Sequence, residues 1–117
     1  MKYKLERIQS LLKREILTLL SKKVVNDPRV PLSINISKIT VSRDLHYAHI
    51  YFTVIGNDQY KKDAIAGLNH SAGFIQKNIG VDLELKYTPK IEFRYDELYE
   101  KAEQVDTLIN SINEAQS

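Results

Sequence analysis

The feature that most constrains this chain is a change of apolar period. Between residues 33 and 55 apolar side chains return at every second position, whereas on both flanks they return every three or four. The first rhythm belongs to a strand with one buried face, the second to an amphipathic helix. In "HYAHIYFTVI" (46–55), Ala48, Ile50, Phe52 and Val54 share one face, while Tyr47, His49, Tyr51 and Thr53 share the other. In "SINISKITVS" (33–42) the alternation runs through Ile34 and Ile36, then through Ile39 and Val41. That slip of one residue around Ser37-Lys38 predicts a β-bulge. Only "SRDL" separates the two runs, so they are expected to pair as an antiparallel hairpin.

The flanks complete the order. Leu5, Ile8, Leu12, Ile16 and Leu19 predict an opening helix with Arg7 and Arg14 on its opposite face. That helix is expected to end near Lys23, before Asn26-Asp27-Pro28 and Pro31, where the prolines forbid continuation. After the hairpin, Asn57 or Asp58 is the expected cap of a helix carrying Tyr60, Ala64, Ile65 and Leu68 inward. A second short helix follows and is expected to stop at Gly80. "LELKYTPKIEFRY" (83–95) alternates as a third strand, and Pro89 within it, lacking an amide donor, points to a sheet edge or a bulge. A helical crossover between the second and third strands favours parallel pairing of the two. Asp96 then caps an acidic helix, expected over about 96–113, with Leu98, Ala102, Val105, Ile109 and Ile112 along one stripe. The order helix, strand, strand, helix, helix, strand, helix predicts an α+β fold: a three-stranded mixed sheet with helices on one face.

The 117 residues suit one domain, 1–117, with one core. No cysteine is present, which removes disulfides and thiolate chemistry and suits a reducing cytoplasm. The opening residues do not read as a signal peptide, and no run of about 18 apolar residues would span a membrane. A net charge of +2 conceals an asymmetry: residues 1–23 carry +5, residues 24–80 carry +2 and residues 81–117 carry −5. Such a gradient fits either a polyanion on one side of the molecule or simply two solvated helix faces.

The sequence "LNHSAGFIQKNIG" (68–80) keeps its helical rhythm through Leu68, Ile75 and Ile79 across a small-residue step, Ser71-Ala72-Gly73. Glycine inside a helix costs about 1 kcal/mol relative to alanine. Two explanations stand side by side. Either the helix breaks there and its freed amides meet a phosphate closely, or the small residues let the helix pack tightly on a neighbour. Basic residues fall in three groups: Arg7, Lys13, Arg14, Lys22 and Lys23 on the first helix; Arg29, Lys38 and Arg43 around the first strand; and Lys61, Lys62 and Lys77 flanking the step.

Catalytic patterns are missing. His46 and His49 would point to opposite faces of a strand, and His70 stands alone, so no metal set forms. Glu92 and Arg94 share a strand face and read as an exposed pair. There is no phosphate loop, dinucleotide fingerprint or nucleophile elbow. Neither an enzyme nor a cofactor is expected.

The element order, together with "ERIQSLLKREI", "DPRV" (27–30), "ITVSRDLHYAHIYFTV", "HSAGFI" and "TPKIEFRYDE", resembles the ribosome-binding factor A family over nearly the whole chain. The resemblance implies a type II KH-like fold and a cytoplasmic assembly factor. Such a factor binds the immature small (30S) ribosomal subunit and its 16S rRNA, acts in rRNA processing and late maturation, and serves cold adaptation. Ribosomal proteins are further expected partners, and the chain is expected to act as a monomer. In this family an interrupted helix with a small-residue kink replaces the G-x-x-G loop of other KH domains, and Ser71, Ala72 and Gly73 match it. Relatives commonly carry arginine where this chain has Gln76. The residues expected to meet RNA are therefore Arg7, Arg14, Arg29, Lys38, Arg43, Lys61, Lys62, Ser71, Ala72, Gly73 and Lys77. Two other functions were open on the sequence: a protein-interaction module docking a basic partner through the acidic last helix, and a generic single-strand RNA binder. In the second, Tyr47, Tyr51 and Tyr87 would stack bases, unless they are ordinary half-buried sheet tyrosines.

Overall fold

A computed structural model describes the backbone of residues 2–116, and the side chains of residues 5–113. Met1 and Ser117, the ends of the expected 1–117 domain, lie outside the described residues. The order is α1 (Lys2–Ser21), β1 (Asn35–Val41), β2 (Tyr47–Thr53), α2 (Asp58–His70), α3 (Ala72–Asp82), β3 (Lys90–Tyr95) and α4 (Glu97–Gln116). This is the α+β arrangement that the periodicities predict. The sheet order is β1-β2-β3, with β1 antiparallel to β2 and β2 parallel to β3. The register shifts between Ile36 and Lys38, so Ser37 is the bulged residue. Its hydroxyl hydrogen-bonds Asp96 Oδ2 at 2.6 Å. Asp96 Oδ1 in turn accepts from the Tyr99 amide at 3.0 Å and caps α4, so one carboxylate joins the bulge to the last helix.

The core lies between the sheet and α1, α2 and α3. Leu12, Ile16 and Leu20 from α1, Ala64 and Leu68 from α2, and Ile75 and Ile79 from α3 are buried against Ile39, Ile50, Phe52, Ile91 and Phe93. Phe52 meets Phe93 edge to face at 6.2 Å and Tyr95 at 5.4 Å. β3 is an edge strand, and its outward backbone groups at Phe93 find a side chain. Asn69 Nδ2 donates to the Phe93 carbonyl at 2.9 Å, and the Phe93 amide donates to Asn69 Oδ1 at 2.8 Å. At Phe93 the β3 edge is thereby closed by α2.

Three expectations need correction. The third strand begins at Lys90, not Leu83, because α3 runs past Gly80 to Asp82 and Glu84 then takes a left-handed φ of 52°. Pro89, without an amide to donate, sits just ahead of the ladder. Gly80 does not stop α3. A Cβ there would lie 2.4 Å from Thr88 Oγ1, so its role is to let the returning loop approach. Finally, the apolar stripe of α4 is not turned toward the core: Leu98, Val105, Ile109 and Ile112 are all exposed. Three helices cover the sheet and the fourth extends from it, which explains a radius of gyration of 16.1 Å, against about 13 Å for a compact chain of this length.

Candidate nucleic-acid interface

The helical rhythm of residues 65–79 is broken once, at Ser71. Its φ/ψ of −93°/0° ends α2, and its amide donates back to Gly67 O at 3.0 Å. The first amide of α3 with a helical partner is Ile75, donating to Ser71 O at 3.0 Å. The amides of Ala72, Gly73 and Phe74 therefore precede the first helical bond, and the Ser71 side chain does not cap them. Three N–H groups at the positive end of a helix dipole form an anion-attracting surface.

Two of the three helical glycines, Gly67 and Gly73, have opposite reasons. A Cβ on Gly67 would fall 2.8 Å from Arg29 Cβ and 3.0 Å from the Arg29 carbonyl carbon, so Gly67 admits the 27–30 loop against α2. A Cβ on Gly73 would meet nothing within 4 Å, and Gly73 has no positive φ. Packing and backbone geometry are thus both removed as reasons for Gly73, leaving the open surface above it. The contrast is measurable. Gly67→Ala should lower stability by about 1–3 kcal/mol through the clash. Gly73→Ala should raise it by about 0.5–1 kcal/mol, because only the conformational cost of glycine is removed. Urea unfolding of both variants checks the pair; a stability loss in Gly73→Ala would mean that the step is structural.

A shallow groove of about 600 Å3 opens beside this helix end. α3 contributes Gly73, Gln76 and Lys77; the β1–β2 turn contributes Leu45 and His46; the loop into β3 contributes Lys86, Tyr87, Thr88 and Lys90. Among the described residues no carboxylate lines it. Tyr87 is exposed, with Lys86 Nζ 5.6 Å from its ring centre. Gln76 is not idle: its Nε2 donates to the Thr88 carbonyl at 3.2 Å and holds the loop that forms the far wall.

Of the residues expected to meet RNA, Gly73 and Lys77 line the groove, Ser71 and Ala72 form the break, and Arg43 stands in the turn beside Leu45 and His46. The others lie elsewhere. Arg7 and Arg14 occupy the outer face of α1. Lys38 lies on the uncovered face of the sheet, 4.5 Å from the centre of the Tyr51 ring. Lys62 borders a mixed-charge groove with Asp58, Glu97 and Glu100. Arg29 is committed to Asp27 through Nε and NH2 at 3.2 and 2.9 Å, which holds the Asp27 carboxyl down to about 2. Lys61 bonds Glu100 at 2.6 Å with a largely covered side chain, so it ties α2 to α4. That contact lowers the Glu100 pKa and raises that of Lys61, and the Tyr95 hydroxyl also donates to Glu100. Sequence reasoning missed His46, Lys86 and Lys90, and named Tyr87 only as a base-stacking residue of a generic single-strand binder. The two lysines disappear into a C-terminal third whose total charge is −5, and a tally along the chain cannot see that the loop folds back. Among the described residues no three His, Asp or Glu side chains gather as metal ligands.

The sequence profile of the family described as ribosome-binding factor A matches residues 4–109. A ribosome-binding factor A of Acetivibrio thermocellus is 37% identical over 107 residues, covering 92% of this chain and 86% of that protein. One from Clostridium botulinum is 31% identical, with 99% and 96% covered. The fold is similar to the solution structure of a putative ribosome-binding factor A from Thermotoga maritima, with a TM-score of 0.60 and 28% identity over 82% of this chain and 86% of that one. It is also similar to the crystal structure of ribosome-binding factor A from Thermus thermophilus, with a TM-score of 0.65 and 15% identity over 78% and 93%. A homology model of the Thermus protein, fitted into a cryo-electron-microscopy map of a complex with 30S, gives 0.53 at 15% identity over 72% and 90%.

Proposed function

The chain belongs to the ribosome-binding factor A family, and from that premise we propose that it is a non-catalytic assembly factor that binds the immature small ribosomal subunit. On this reading it acts in the cytoplasm as a single KH-like RNA-binding domain. It grips 16S rRNA at the α2–α3 break, promotes rRNA processing and late maturation, and serves growth in the cold. The observation that carries the reading is Gly73: a glycine with open space above it, beside three uncapped amides and a groove lined by lysines without carboxylates. The Thermus relative fitted into a 30S complex supports the choice of partner.

The chemistry is positioning. Amides of Ala72, Gly73 and Phe74 donate to the oxygens of one phosphate group, and Lys77, Lys86 and Lys90 attract its neighbours. Phosphate contacts of this kind carry no base sequence, so selectivity comes from the shape of folded rRNA. Gly73→Ala places a methyl group between phosphate and amide. It should weaken binding to purified immature small subunits about tenfold, the equivalent of one charge-assisted hydrogen bond at about 1.5 kcal/mol. Co-sedimentation at graded protein concentration measures it. Equal binding by the variant removes the break from the interface. Unstructured oligonucleotides that bind as tightly as subunits would replace this function by that of a generic single-strand binder.

A further inference from the structure

Among the described residues, the face of the sheet opposite α1, α2 and α3 is approached by a helix at one end only, where Tyr99 and Glu103 of α4 reach Asn35 and Thr53. Along the rest of it the pleat sends Tyr47, His49 and Tyr51 outward from β2. Their neighbours on β3 are Lys90, Glu92 and Arg94; on β1, Thr40 faces His49 and Lys38 faces Tyr51. Tyr47 is 55% exposed, and on its β1 side it meets only the small Ser42, whose Oγ accepts from its amide at 3.0 Å. Tyr51 stands about 13 Å further along the strand, with Lys38 Nζ 4.5 Å from its ring centre. None of these outward side chains is aliphatic.

That composition selects the ligand. Without an aliphatic side chain, the face gives an apolar protein segment or a lipid chain nothing to bury against. Tyrosine rings beside cations are instead platforms for bases, since every base has a flat apolar face. The charges are nearly balanced. Lys38, Lys90 and Arg94 stand against Glu92, which holds Arg94 at 2.6 Å, and Asp96, which lies near Lys38 but already accepts from the Ser37 hydroxyl and the Tyr99 amide. Glu103 adds a further carboxylate at the Thr53 end. A duplex gripped through phosphates alone lacks the cations it needs here, whereas an unpaired strand can turn its bases onto the rings. Lys90 joins this face to the groove beside Gly73. It is the cross-strand neighbour of Tyr47, it lines the groove, and its amide donates to the His46 carbonyl at 2.7 Å. We propose that the open sheet face is a second RNA surface, on which bases of an unpaired strand stack against Tyr47 and Tyr51 while Lys38 and Lys90 hold the flanking phosphates. From the function proposed above it takes only that the polymer is RNA.

Fluorescein-labelled decaadenylate RNA and an abasic strand of the same length and charge test this against the full chain by anisotropy near 0.1 M salt. Decaadenylate should bind at least tenfold more tightly than the abasic strand. Tyr47→Ala should weaken decaadenylate binding about fivefold or more, the loss of one base stack, with the thermal midpoint unchanged. Tyr47→Phe, which keeps the ring, should bind as the unaltered chain does. Equal binding of the two strands, no binding of decaadenylate, or full affinity in Tyr47→Ala overturns the proposal. So does a loss in Tyr47→Phe as large as that in Tyr47→Ala, since the hydroxyl and not the ring would then be the contact. The helix break is read separately, from Gly73→Ala and small subunits. If that variant binds subunits normally while Tyr47→Ala loses decaadenylate, the break is wrong and the sheet face stands; the reverse result removes the sheet face alone.

Discussion

Changing Lys77, Lys86 and Lys90 together to glutamate should weaken binding to small subunits about a hundredfold near 0.1 M salt. The three side chains are exposed and border one groove that no carboxylate among the described residues lines. Each phosphate contact contributes by releasing a condensed counterion, so losing three lowers the slope of log affinity against log salt by roughly 2–3. The thermal midpoint should not move, because none of the three supports the core. Reversing Arg7 and Arg14 instead, on the outer face of α1, should have a much smaller effect. Filter binding or co-sedimentation across a salt series separates the two variants. If the α1 variant lost more affinity than the groove variant, RNA would lie along α1 and the groove assignment would be wrong.

Phe52→Ala should cost about 3–5 kcal/mol of folding stability. Phe52 is fully buried on the central strand, with edge contacts to Phe93 and Tyr95, so its removal opens a cavity that neither ring can fill without leaving its own contacts. Against a total of about 5–15 kcal/mol for a small domain, that loss populates unfolded chains at moderate temperature. Tyr95 also donates to Glu100, so α4 should lose protection in hydrogen exchange before the sheet does. Urea unfolding with an unchanged m-value measures the cost. A loss under about 1.5 kcal/mol would mean that the core closes over the void.

Features set by neighbours in the chain were legible. The bulge at Ser37 follows from a slip in alternation, and the cap at Asn57, whose Oδ1 accepts from the Tyr60 amide at 2.8 Å, follows from residue type and place. The parallel pairing of β2 with β3 follows from the length of the crossover. Partners far apart in the chain were not legible. Nothing near Lys61 indicates that Glu100 will claim it, and nothing near Asp27 predicts how closely Arg29 will approach Gly67. The groove has the same cause. Lys86 and Lys90 read as alternating positions of a strand, whereas the chain loops past Gly80 and brings them to α3. For α4 the periodicity gave the stripe but not its direction. That direction is decided by the Lys61–Glu100–Tyr95 tie on the other side of the helix.

The double hydrogen bond between Asn69 and Phe93 has a consequence beyond sealing an edge. Asn69 lies in the last turn of α2, two residues before the break, so the bend is bolted to the rim of the sheet. A ligand arriving at Gly73 finds its amides already aimed and need not organise a floppy loop, which spares the entropy that ordering a mobile segment would cost. The same clamp leaves a stray strand no backbone partner at Phe93, so a concentrated solution of this protein is guarded against growing by edge-to-edge addition on that side.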